Sequence, residues 1–97
     1  MAKAYMAGFL KLRDPAWLDE YRPKCLALVE KHGGRYLAAA FGPEKLEGKA
    51  PPDILVILEF PSVEAAKAWH TDPDYQPLIK LRESGSDIEL VVAEGLV

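Results

Sequence analysis

The sequence predicts an α+β domain, with helices packed on one face of an antiparallel sheet. Three observations predict it. Strand-like and helix-like segments follow the order β-α-β-β-α-β. The helical segments open on strong start signals, Asp14-Pro15, Pro61-Ser62 and Asp72-Pro73. The strand candidates are apolar on both of their faces, which one layer of helices cannot cover alone.

Ala4 to Leu12 reads as the first strand, with Tyr5 and Phe9 on one parity and Met6, Leu10 and Leu12 on the other. Asp14 is an N-cap, because its carboxylate can accept a bond from a free backbone amide. Pro15 follows where a missing N–H costs nothing. The helix is predicted to run to about His32, with Leu18, Tyr21, Cys25, Leu28 and Val29 as its inward stripe. Pro23 lies inside it and is expected to kink or break it. Gly33-Gly34 ends it by supplying left-handed backbone.

Arg35 to Phe41 is the second strand, stopped by Gly42-Pro43. Alternation places Tyr36, Ala38 and Ala40 on one face and Arg35, Leu37, Ala39 and Phe41 on the other. A short extra strand is expected over Glu44 to Leu46, and a turn over Glu47 to Pro52. Asp53 to Phe60 is the strongest strand of the chain. Ser62 caps the next helix, which carries Ala65, Ala66 and Trp69 inward and stops near Thr71. A second helical piece is predicted over Asp74 to Glu83, with Tyr75, Leu78, Ile79 and Arg82 at helical spacing. Ser84-Gly85-Ser86 turns the chain into the last strand, Asp87 to Glu94, and Gly95-Leu96-Val97 is a short tail. That order is the ferredoxin-like sandwich, here one domain spanning residues 1–97.

The two-sided apolar strands predict a homodimer. In the third strand Ile54, Val56, Leu58 and Phe60 oppose Leu55, Ile57 and Glu59; in the last, Ile88, Leu90 and Val92 oppose Glu89, Val91 and Ala93. An exposed apolar sheet of several hundred Å² is rare on a lone soluble chain. Burying ~500 Å² of it per subunit against a second copy contributes roughly 12 kcal/mol at ~25 cal/mol per Å², before association costs. No segment of the chain is long enough to serve as a cover instead.

Composition narrows the function classes. The 97 residues are 49% hydrophobic and 28% charged, the proportions of an ordinary globular domain, with a net charge of −3 and no basic run. A nucleic-acid partner is therefore not expected. The longest purely apolar stretch, Ile54 to Leu58, is too short to span a bilayer, and the run from Met1 has no apolar signal-peptide core. With Cys25 as the one cysteine, no internal disulfide can form, and a cytoplasmic location is expected. His32 and His70 lack metal-ligand spacing, so neither a metal nor a cofactor is expected.

Further motifs recur at characteristic intervals: His32-Gly33-Gly34-Arg35-Tyr36-Leu37, Leu46-Glu47-Gly48, Leu58-Glu59-Phe60-Pro61-Ser62, Ala68-Trp69-His70, Tyr75-Gln76, Leu81-Arg82 and Ala93-Glu94-Gly95. Together they resemble the family called domain of unknown function 1330, over nearly the whole chain. The resemblance implies a dimeric α/β barrel, the paired form of the ferredoxin-like fold, and no assigned activity. Related barrels include cofactor-independent monooxygenases, heme-handling proteins and muconolactone isomerases, a kinship of fold only. The chain departs from the family pattern at Ala39-Ala40-Phe41, where Arg-Gly-Gly is common, at Lys49-Ala50, where Trp is common, and at Asp72, where Ser is usual.

Seven residues are candidates for a site. Glu59 sits at the end of the most apolar strand, where a carboxylate is either paired or raised in pKa; Arg35 and Arg82 are its candidate partners. An acid–base role and a plain ion pair are both open to it. His70 ends a helix beside Trp69, a place for proton transfer or for simple capping. Tyr21, Trp69 and Tyr75 can line an aromatic pocket or belong to the core, and Cys25 reads as inert packing. The leading function is binding of a small, partly apolar molecule in a cleft between sheet and helices. The alternatives are a cofactor-independent oxygenase or isomerase moving protons through Glu59 or His70, and a purely structural or assembly role.

Overall fold

A computed structural model of the chain describes residues 2–96. Met1 and Val97, the ends of the predicted N-terminal run and C-terminal tail, lie outside them. Four strands, β1 (Ala4–Leu12), β2 (Arg35–Phe41), β3 (Ile54–Phe60) and β4 (Ser86–Glu94), form an antiparallel sheet in the order β2-β3-β1-β4. Three helices, α1 (Leu18–Lys31), α2 (Val63–Thr71) and α3 (Gln76–Glu83), lie on one face of it. The result is a slab of 36 × 33 × 16 Å. Its thin dimension holds one sheet and one helical layer, so the second sheet face has no cover of its own.

The register sorts the side chains. Ala4, Met6, Gly8 and Leu10 of β1 stand opposite Phe60, Leu58, Val56 and Ile54 of β3 and face the helices. There they join Cys25, Val29, Ala66, Trp69, Tyr75 and Leu78 in the main core. Tyr5, Ala7 and Phe9 stand opposite Glu59, Ile57 and Leu55 on the open face, with Ala93, Val91 and Glu89 on their other side. Phe9 and Val91 are 40% and 59% exposed.

The first helical segment starts as a 3-10 turn, Pro15–Trp17, capped by Asp14, whose Oδ1 accepts from the Ala16 amide at 2.9 Å. α1 then continues without a break through Pro23. The expected break is absent because Pro23 lies one turn into the helix on its exposed side. The carbonyl it leaves unpaired belongs to the exposed Asp19, where water can replace the lost N–H. At the other end Gly33 takes φ +79°, as a helix stop requires.

Five further expectations are corrected. Glu44 to Leu46 forms no strand, and Leu46, 92% exposed, packs against nothing that would hold one. Asp53 lies just outside β3 and fastens the β1 end instead, its amide donating to Leu10 O at 2.8 Å and its Oδ2 accepting from the Leu12 amide at 2.7 Å. In β2 a bulge between Tyr36 and Ala38 inserts Leu37 as an extra residue. Tyr36, Ala39 and Phe41 consequently share the helix-side face with Leu58, Val56 and Ile54, while Ala38 and Ala40 turn outward. α3 begins at Gln76, after a turn at residues 73–75, and β4 begins at Ser86.

Candidate functional site

Between sheet and helices the aromatic and polar side chains converge on a cavity of about 50 Å³. α1 supplies Tyr21 and Cys25, four residues apart and so on one face. β2 supplies Tyr36, which the bulge leaves pointing inward. α2 supplies Trp69, the turn after it Tyr75, and the last turn of α3 Arg82. Leu10, Val56, Leu58, Ile88 and Leu90 complete an apolar floor on the sheet. The Trp69 and Tyr75 rings lie 4.3 Å apart at 34°, which fixes both.

The polar atoms form a chain. Arg82 Nη1 donates to Tyr75 Oη at 2.9 Å, and Tyr75 Oη lies 2.6 Å from Tyr21 Oη. A guanidinium only donates, so the Tyr75 oxygen accepts from it, and either hydroxyl can donate in the bond between Tyr75 and Tyr21. Cys25 Sγ is 3.2 Å from Tyr36 Oη. Two of the lining residues carry N–H groups, Arg82 Nε and Trp69 Nε1, that are buried without a hydrogen-bond partner in the protein. Such orphans are uncommon in a folded interior.

Burial keeps this cluster protonated. It pushes the Tyr21 and Tyr36 phenols far above their usual range. Tyr75 rises less, to about 12: burial and then Cys25 raise it, and Arg82 pulls it back. Burial also raises the Cys25 thiol, against the bonds from Tyr36 and Tyr21. At neutral pH the cavity wall therefore offers uncharged hydroxyls, a thiol and one guanidinium, a set that orients a ligand rather than one that removes its protons.

The seven predicted residues divide. Tyr21, Trp69, Tyr75 and Arg82 meet at the cavity. Arg35 and Glu59 face each other across β2 and β3 on the open side of the sheet. There Arg35 Nε donates to Glu59 Oε1 at 3.1 Å, and Lys3 Nζ stands 3.5 Å from the same oxygen. The Arg35 bond holds the Glu59 carboxyl below its ordinary value. Arg82, the other partner considered for Glu59, is on the opposite face. His70 stands on the exposed side of α2, in an open groove of about 270 Å³ with Met6, Lys67, Thr71 and Val91.

Sequence reasoning missed Tyr36, because strand alternation does not reveal a bulge. It treated Cys25 as packing; its i, i+4 relation to Tyr21 was the available signal. It also missed a second polar cluster. Asp72 is 6% exposed and its Oδ2 accepts from His32 Nε2 at 2.7 Å and from Lys31 Nζ at 2.9 Å, while Oδ1 accepts from the Asp74 amide at 2.8 Å. These bonds, the His32 bond first, hold its carboxyl far below the ordinary value. They tie the end of α1 to the α2–α3 turn.

The family described as Domain of unknown function (DUF1330) matches residues 3–96. The chain belongs to that family. No curated protein matches it. Among solved structures it is similar to the RPA0582 protein of unknown function from Rhodopseudomonas palustris, at 23% identity and TM-score 0.81, covering 99% of this chain and 84% of that one. It is also similar to SnoaB, a cofactor-independent oxygenase from Streptomyces nogalater, at 11% identity and TM-score 0.72, covering 100% and 96%. A dimeric protein of unknown function and ferredoxin-like fold from Bacteroides fragilis matches at 17% identity and TM-score 0.66, covering 98% of each chain. At these identities the likenesses establish the ferredoxin-like α+β fold and nothing about chemistry. The described residues include no helix long and apolar enough to cross a membrane, and no group of three or more His, Cys, Asp and Glu placed to hold a metal.

Proposed function

We propose that this DUF1330 protein is a cytoplasmic homodimer that binds a small, partly apolar molecule in the cavity between sheet and helices. One observation carries the reading: aromatic and apolar walls enclose a cavity whose lining residues include a chain of neutral hydroxyls and two side chains with buried, unpartnered N–H groups. A purely structural core would gain by closing the cavity and pairing those groups. An acid–base enzyme built on Glu59 or His70 has less support, since neither residue lines this cavity. The homodimer rests on the bare apolar sheet face, and the dimeric Bacteroides fragilis protein is an analogue of fold. Its cytoplasmic location rests on a single buried, unpaired cysteine.

Native mass spectrometry of the protein purified from its own source tests both halves. The expected spectrum shows the mass of two chains, with a small molecule released on activation. A monomer mass overturns the assembly, and a dimer carrying no adduct counts against the binding reading.

A further inference from the structure

We infer that the cavity takes a small carboxylate anchored on Arg82, an inference that rests on the binding reading above and names its ligand class. Arg82 is 5% exposed, yet it takes part in none of the ion pairs among the described residues. Those pairs use Glu20, Glu59, Asp72 and Asp87, all away from the cavity. A guanidinium stays charged at any physiological pH, and a buried charge without a counter-charge is among the costliest features a fold can carry. The C-terminal carbonyls of α3 offset only a fraction of a unit charge. Tyr75 stays neutral, so its bond to Nη1 supplies a dipole and no negative charge.

The geometry selects the kind of anion. Nη1 is engaged by Tyr75, which leaves the edge of the guanidinium bearing Nε, whose N–H has no partner. A planar two-oxygen anion fits such an edge with parallel bonds, which a spherical ion cannot do. Trp69, in the same wall, carries a further unpartnered N–H, and no carboxylate lines the cavity to repel an anion. Size sets the rest. A volume of about 50 Å³ admits roughly four water-sized groups. Leu10, Val56 and Leu58 supply an apolar surface for a short alkyl end. A short-chain carboxylate satisfies all three conditions.

The test uses propionate, its neutral isostere propionamide, and chloride. Each is titrated at neutral pH and constant ionic strength into the 15N-labelled wild-type protein, following the Arg82 Nε–H and Trp69 indole signals. The expected result is a saturable shift of both signals with propionate, at a Kd about tenfold or more below that of propionamide. Equal binding of the two leaves the cavity as a binding site and overturns the carboxylate. Silence toward both overturns the carboxylate and the binding reading together. Chloride shifting Arg82 as strongly as propionate, and competing with it, replaces the carboxylate with a simple halide counter-ion. Arg82→Gln is expected to remove the preference for propionate while leaving propionamide binding within about twofold. If that variant does not fold, the wild-type comparison decides alone.

Discussion

Asp72 shows how one side chain can hold several elements. It is a buried carboxylate whose bonds join two parts of the chain: the end of α1 through Lys31 and His32, and the turn into α3 through the Asp74 amide. In sequence, Asp72-Pro73 reads only as a helix start, because a dipeptide does not show that Lys31 and His32, about forty residues upstream, will meet it. A carboxyl whose pKa is lower in the folded than in the unfolded chain contributes stability above its unfolded value, about 3.9. That contribution is lost as the pH falls through the folded value. Urea midpoints measured across the acid range are expected to show Asp72→Asn less stable than wild type at neutral pH, with the two curves converging below about pH 4. A gap that stays constant with pH would mean that Asp72 acts by shape rather than by charge. Arg82 is the opposite case at the same scale, a buried charge without a counter-charge among the described residues. Its spacing from Tyr75 was visible in the sequence; its lack of an acid partner was not.

At the scale of elements, the start signals and apolar runs located the four strands and the helices well, while local irregularities escaped. The β2 bulge changed which side chains face the helices, since a single extra residue reverses a period of two. The α3–β4 turn is tight for a reason the sequence hints at with Ser84-Gly85-Ser86. The Gly85 carbonyl accepts from both the Arg13 and the Asp14 amides, at 2.8 and 3.0 Å, so the chain passes hard against the 3-10 turn. A Cβ at position 85 would collide with the Asp14 carbonyl oxygen and the Trp17 ring. Gly85→Ala is expected to cost about 1–3 kcal/mol, read as a lower urea midpoint with an unchanged slope. A stability equal to wild type would show that this turn can shift without loss.

For the whole molecule, the deciding feature is a sheet with two apolar faces and one layer of helices. Tyr5, Ala7, Phe9, Leu55, Ile57 and Val91 make the open face apolar at its centre, and charged Lys11, Arg35, Glu59 and Glu89 lie toward its margins. That arrangement suits a second copy packed on the centre. Val91 is the most direct probe: it is well exposed in a single chain and stands beside Ala7 on the open face. Val91→Asp would place one unpaired carboxylate from each subunit in the joint, which is expected to weaken association by roughly a thousandfold or more. Sedimentation at micromolar concentration should show wild-type dimer and variant monomer, both folded. A variant that remains fully dimeric would place the contact elsewhere.

What can be read from local pattern was right where the physics is local. The order of elements follows from apolar periodicity and helix caps, and the two-sided apolar strands follow from composition along a period of two. Those cues lie within a few residues of one another, so the linear chain contains them. The convergence of Tyr21, Cys25, Tyr36, Trp69, Tyr75 and Arg82, and the separation of Arg35, Glu59 and His70 from them, came only with the folded chain. Hydrogen bonds between α1 and the α2–α3 turn span fifty-four residues at Tyr21 and Tyr75. Which side chains meet over such distances depends on register, on one bulge and on how the helices seat against the sheet, and none of these is encoded in neighbouring residues.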